Sequence, residues 1–215
     1  MRSIRFIVFA IPLLGVASGG LITDIIKDLT PVIANVGNIV DDVLKDTASL
    51  IGNTLTTVDN IVANSLGLVQ REVSTAEGLF KNAPKGSPEN LCSSRITSVV
   101  NSLDVSTVKA CVNSSSIRTK YSDHLARLSQ YKSGTASTIT KCLAKIIGVR
   151  ECINREIQTS KTDVEKEEVS VRDTRKDIEK DVTSCVEKSS AKITQEIDGA
   201  TKDFNKCVKD QGGSK

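Results

Sequence analysis

The chain has 215 residues and carries 29 Lys and Arg against 26 Asp and Glu, with one His and no Trp. Hydrophobic residues make up 39% and charged residues 26%, a globular rather than disordered composition that suits one domain or two small ones. A single imidazole and only six aromatic rings weaken most catalytic readings from the outset.

The first nineteen residues read as a secretory leader. Arg2 and Arg5 precede an apolar run from Phe6 to Val16, followed by the small residues Ala17, Ser18 and Gly19. An uncleaved anchor would need about 20 apolar residues, and this run is too short. The expectation is a signal peptide over 1–19, a secreted, extracellular product and no transmembrane segment. Loss of Arg2 and Arg5 leaves 27 basic residues against 26 acidic, which gives no electrostatic basis for nucleic-acid binding.

Residues 20–80 carry a helical stripe. Ile22, Leu29, Val36, Val43 and Leu50 recur at sevens, with Ile25/Ile26, Val32/Ile33 and Ile39/Val40 behind them. After Leu50 the phase slips by one to Ile51 and Val58, with Leu55, Val62 and Val69 as companions, so a bend is expected near Ile51–Asn53. Thr30-Pro31 has the form of an N-cap and first helical position, which predicts a break near residue 30. This segment has net charge −5 and the remainder +6, so the first should dock on the second.

Residues 81–90, holding Pro84, Gly86 and Pro88, read as a linker, 91–208 as a six-cysteine helical domain and 209–215 as a disordered tail. Within the domain Ile96, Val99, Val100 and Leu103 have helical spacing. Ile157, Val164, Val171, Ile178 and Cys185 run at strict sevens, as do Val186, Ile193, Ala200 and Cys207. The charged stretch 162–180 reads as a solvated helix face. No strands are expected.

Six cysteines in an oxidising compartment imply three disulfides, with fifteen formal connectivities. The pairs Cys92/Cys207, Cys111/Cys185 and Cys142/Cys152 share midpoints at 149.5, 148 and 147, beside Gly148, where a left-handed residue would reverse the chain. A hairpin about Gly148 matches the spans of about 28 and 33 Å between the outer cysteines of its two arms. The outgoing pair falls about 100° out of phase and needs an interruption, assigned to Asn113–Ser116. The predicted fold is all-α: a long disulfide-stapled antiparallel helical hairpin with an N-terminal amphipathic helical segment docked on it.

Candidate chemistry is sparse. Asn113-Ser114-Ser115 is an N-glycosylation sequon. His124 reads as a helix-surface histidine, because Tyr121-Ser122-Asp123-His124 projects in several directions. Glu165, Glu167 and Glu168 read as an exposed charged run. No metal site, cofactor fingerprint or catalytic residue emerges.

The leader, the helical pattern and the positions of Cys92, Cys111, Cys142, Cys152, Cys185 and the terminal Phe204-Asn205-Lys206-Cys207-Val208 together resemble the insect TsetseEP-domain family over residues 91–208. The odorant-binding class is a poorer match, since its Cys-x-x-x-Cys helix motif is missing. The resemblance implies a secreted helical protein of gut or other secretions and supplies no catalytic residue. The expected function is non-catalytic binding of a macromolecule or surface in an extracellular fluid. The alternative is a carrier of lipid or a small apolar ligand, because the broad Ile/Val stripe suits a lipid surface.

Overall fold

The structure, a computed structural model, describes residues 19–145 and 148–212. The described chain contains no strand and is built from six helices, α1 (Gly19–Gly78), α2 (Pro88–Cys92), α3 (Ser94–Ser102), α4 (Ser106–Lys109), α5 (Ser114–Leu143) and α6 (Val149–Gly212). The leader expected over 1–19 lies outside the described residues except for Gly19. No helix among them is long and apolar enough to cross a membrane.

Helices α1 and α6 are the long members, 60 and 64 residues, about 90 and 96 Å at ~1.5 Å per residue. They lie parallel: Val36 shares a cluster with Cys152 and Ile153, Val43 with Val164, and Ala76 with Phe204. The descending arm α2–α5 runs antiparallel to both. The result is a three-helix rod whose core is a narrow axial seam.

Three nested disulfides staple the hairpin: Cys92–Cys207, Cys111–Cys185 and Cys142–Cys152, with Cα separations of 5.9, 5.7 and 5.7 Å. Gly148 is left-handed, φ 74°, as a reversal requires. It does not cap α5, which ends at Leu143; it directly precedes α6, and its carbonyl accepts the Cys152 N–H.

Two expectations are corrected here and a third is shifted. Helix α1 passes through Pro31 without a break, although the proline removes one backbone donor and costs about 3 kcal/mol in a helix interior. Residues 209–212 are helical rather than a disordered tail, because Lys209, Asp210 and Gln211 continue the last turn beyond Cys207. The interruption expected at Asn113–Ser116 lies slightly earlier in the chain and is accompanied by two others. Asn113 caps α5, its Oδ1 accepting the Ser116 N–H at 3.0 Å. The breaks fall at Ser93, at 103–105, where Asp104 Oδ1 takes the Ser106 N–H, and at 110–113.

The segment expected as a linker over 81–90 is an ordered corner that already contains the start of α2. Ser87 N–H bonds to the Pro84 carbonyl around Gly86, φ 84°, which is a type II turn. Ser87 then caps α2, with Pro88 at its first position. Phe80 anchors the corner on Phe204, ring centroids 6.2 Å apart.

The phase slip in α1 is realised without a break. Val43, Thr47, Leu50, Thr54 and Val58 face the core in steps of four, three, four and four, and Val58, Val62, Ser65, Val69 and Val73 repeat them. This 15-residue period exceeds 3.6 residues per turn and so opposes the left-handed supercoil that sevens impose. Gly37, Gly52 and Gly67 recur at the same period, and a Cβ built on any of them meets nothing within 4 Å. Each glycine therefore costs helix stability with no packing requirement in the folded chain. Alanine at all three should raise stability by about 2 kcal/mol, roughly 4–8 °C in Tm by thermal circular dichroism. An unchanged or lowered Tm would mean that this face is in contact with something.

Candidate functional site

Helix α5 carries a core row in steps of three and four: Ile117, Tyr121, His124, Leu128, Tyr131, Thr135, Ile139 and Cys142. His124 occupies a core position in that row and is 6% exposed. On α6, Glu167 falls between Val164 and Val171 in the same manner and is also 6% exposed. The expectations of a surface histidine and a fully exposed acidic run are therefore corrected. Glu165 is exposed, but Glu167 points inward.

The two groups meet in the middle of the rod. His124 Nδ1 lies 2.5 Å from Glu167 Oε1, and His124 Nε2 lies 2.9 Å from the Thr174 hydroxyl. Arg127 Nε donates to both Glu167 oxygens, at 3.0 and 2.9 Å. A carboxylate only accepts, so Nδ1 must carry a proton; Arg127 Nη2, 3.0 Å from that nitrogen, is then a contact rather than a hydrogen bond. Thr174 donates to Nε2 when the ring is neutral and accepts from it when the ring is charged. The cluster is thus satisfied in either state.

Above and below, further hydroxyls occupy core positions. Thr54 Oγ1 donates to the Leu50 carbonyl at 2.8 Å, so the Tyr121 hydroxyl, 3.1 Å away, must donate to Thr54. Burial pushes the Tyr121 phenol above its usual range. Thr135 meets Ser160 at 3.1 Å. Among the described residues, every buried side-chain nitrogen or oxygen has a partner.

Burial pushes the Glu167 carboxyl up, but the hydrogen bonds from Arg127 and His124 outweigh it and hold the group below the usual carboxylate range. Chemically this is a closed ion-paired lock. The carboxylate is deprotonated, both its oxygens are engaged, and His124 has no free nitrogen. The lock matches α5 to α6 at one register, because a slip of one turn would bury Glu167 unpaired.

Several depressions among the described residues are open to solvent, and His124, Arg127 and Glu167 line none of these. One of 420 Å³ lies between α1 and the α3–α4 corner, floored by Leu66, Val69, Val73, Val100 and Leu103. Another, 240 Å³, lies beside the Cys111–Cys185 bridge and includes Asn113. The expected attraction between α1 and the hairpin takes the form of Lys132 Nζ on Asp41, 2.5 Å. That pair is half-exposed and worth under about 1 kcal/mol, so α1 is held chiefly by apolar packing. No group of three or more His, Cys, Asp or Glu among the described residues is arranged to hold a metal.

No protein-family model, curated protein or solved structure matches this chain.

The sequence reading does not single out Thr47, Thr54, Ser65 or Thr135, and it puts His124 and Glu167 on the surface. The signal was present in the spacing: His124 follows Tyr121 by three and precedes Leu128 by four.

Glu167→Gln should destabilise the protein by about 2 kcal/mol at neutral pH, the scale of a charge-assisted hydrogen bond. Because the folded-state value is depressed, the carboxylate's contribution is complete above its unfolded value and is lost as pH falls through the folded one. Across pH 5 to 3 the gap between wild type and variant should therefore narrow, beginning at about 4.5. Urea denaturation across that range measures it, and a gap independent of pH would refute the ion-paired assignment.

Proposed function

We propose that this chain is a secreted, non-catalytic helical protein that binds another macromolecule or a surface in an extracellular fluid. The observation that carries this reading is the placement of its chemistry. The only histidine is locked inside the rod on Glu167 and Thr174, whereas the outside offers long charged helix faces. Three disulfides support the extracellular assignment, since such bridges persist in oxidising compartments. The likeness in cysteine spacing to the TsetseEP-domain family agrees with it.

A photo-crosslinking residue placed at the exposed positions Leu68, Leu91 or Val169 of the full chain, in the fluid into which it is secreted, tests this. A discrete adduct confined to one face of the rod is the expected result. Uniform weak labelling from all three positions would count against a dedicated partner.

One feature favours the carrier alternative. Helix α1 contains no cysteine and lies outside every disulfide loop, so its sole covalent tie to the hairpin is the 79–87 corner. Rotation there would bare the stripe on α1 and its seat on α5 and α6. In liposome flotation the wild-type protein should stay at the bottom of the gradient. If it floats while Val36→Asp plus Val43→Asp does not, the carrier reading replaces the first.

A further inference from the structure

Asn113 is exposed, and its side-chain oxygen is committed to capping α5. This leaves the amide nitrogen, the atom modified in N-glycosylation, outside the cap. Ser115 supplies the hydroxyl at the second following position. Immediately beside Asn113 is the 240 Å³ depression, whose lining includes the asparagine itself. The depression is open to solvent, so a sugar attached to the asparagine has a free way into it. Its floor is the edge of the core at Ile117, Ile178 and Val182 beside Cys111 and Cys185, while Ser116 and the Lys120–Asp181 ion pair, 3.3 Å, offer donors and acceptors for a sugar's hydroxyl and acetamide edges.

The bridge at this place is also the one most open to attack. Cys185 is exposed and Cys111 half-buried, whereas Cys92, Cys142 and Cys152 are 1, 1 and 7% exposed. Access governs how fast a thiolate reaches a disulfide sulfur.

We propose that Asn113 carries an N-linked glycan whose first N-acetylglucosamine seats in this depression and shields the Cys111–Cys185 disulfide from thiols. The inference rests on the secreted reading above. The modification joins Asn113 Nδ2 to the anomeric carbon of a lipid-diphosphate-linked oligosaccharide; the lipid diphosphate leaves with the bonding pair and Nδ2 loses one proton. Because Asn113 sits where the first turn of α5 begins, the acceptor is free until that turn forms.

The full chain expressed in secreting eukaryotic cells, once with its own first nineteen residues and once behind a heterologous leader, separates the two questions. Failure of export with its own leader alone would fault the secreted reading and leave the glycan testable on the second product. Intact mass should show one glycan, removed by peptide-N-glycosidase and missing from Ser115→Ala and Asn113→Asp, both of which keep the cap. An unmodified Asn113 in the exported protein would overturn the proposal. Under native conditions dithiothreitol should reduce Cys111–Cys185 several-fold faster in Ser115→Ala than in the glycosylated protein. Protein trimmed by endoglycosidase to a single N-acetylglucosamine should keep the slow rate. Equal rates for glycosylated and sugar-free protein would overturn the shielding, and a fast rate for the trimmed form would overturn the seating of the first sugar.

Discussion

One continuous helix supplies a wall to each of the three apolar clusters among the described residues. Helix α6 gives Cys152, Ile153 and Ile157 to the cluster near the hairpin tip, Val164 to the middle one, and Val171 through Phe204 to the largest. The other helices touch it in turn, α5 over its first half, α2–α4 over its second, and α1 along nearly its whole length. A seam this narrow buries few side chains per residue, and α1 contributes mostly valine, threonine and serine to it. Apolar burial at ~25 cal/mol per Å² is thus spread thinly over a long path against the ordering entropy of long helices.

Covalent closure compensates where packing is thin. The outermost bridge joins residues 115 apart, the middle one 74 apart and the innermost 10 apart, so each excludes a different class of open conformations from the unfolded ensemble. The buried Glu167 lock adds something the bridges lack. Disulfides fix which parts of the arms meet, but the ion-paired carboxylate makes a neighbouring helical register costly between the bridges, in the stretch from Leu128 to Val171. Bridges and lock are complementary because they act at different places along the same pair of helices.

The α6 row was legible in the sequence because Ile157, Val164, Val171 and Ile178 are all apolar and spaced by sevens, and the nesting of the cysteines was legible because three midpoints converge beside one glycine. The α5 row was not, since its core positions include His124 and Thr135, and a polar residue type hid a core position. The subdivision of the descending arm was hidden for another reason. Ser87 caps α2 and Asp104 closes a local turn ahead of α4, hydrogen bonds that compete with a continuous helix, and both side chains are common enough on surfaces to pass unnoticed. Pro31 misled in the opposite direction, as a strong local signal overridden by the continuity of the helix around it.

The parallel course of α1 and α6 gives the rod a direction. The hairpin tip at Gly148 lies beside Val36, and the carboxyl-terminal turns of α6 lie beside the Phe80 corner. These two ends are separated by helix α6 itself, 64 residues and about 96 Å. An attachment at the tip and another at the end of α6 would be held apart by a strut, its ends distinct in shape and its length set by the helical rise.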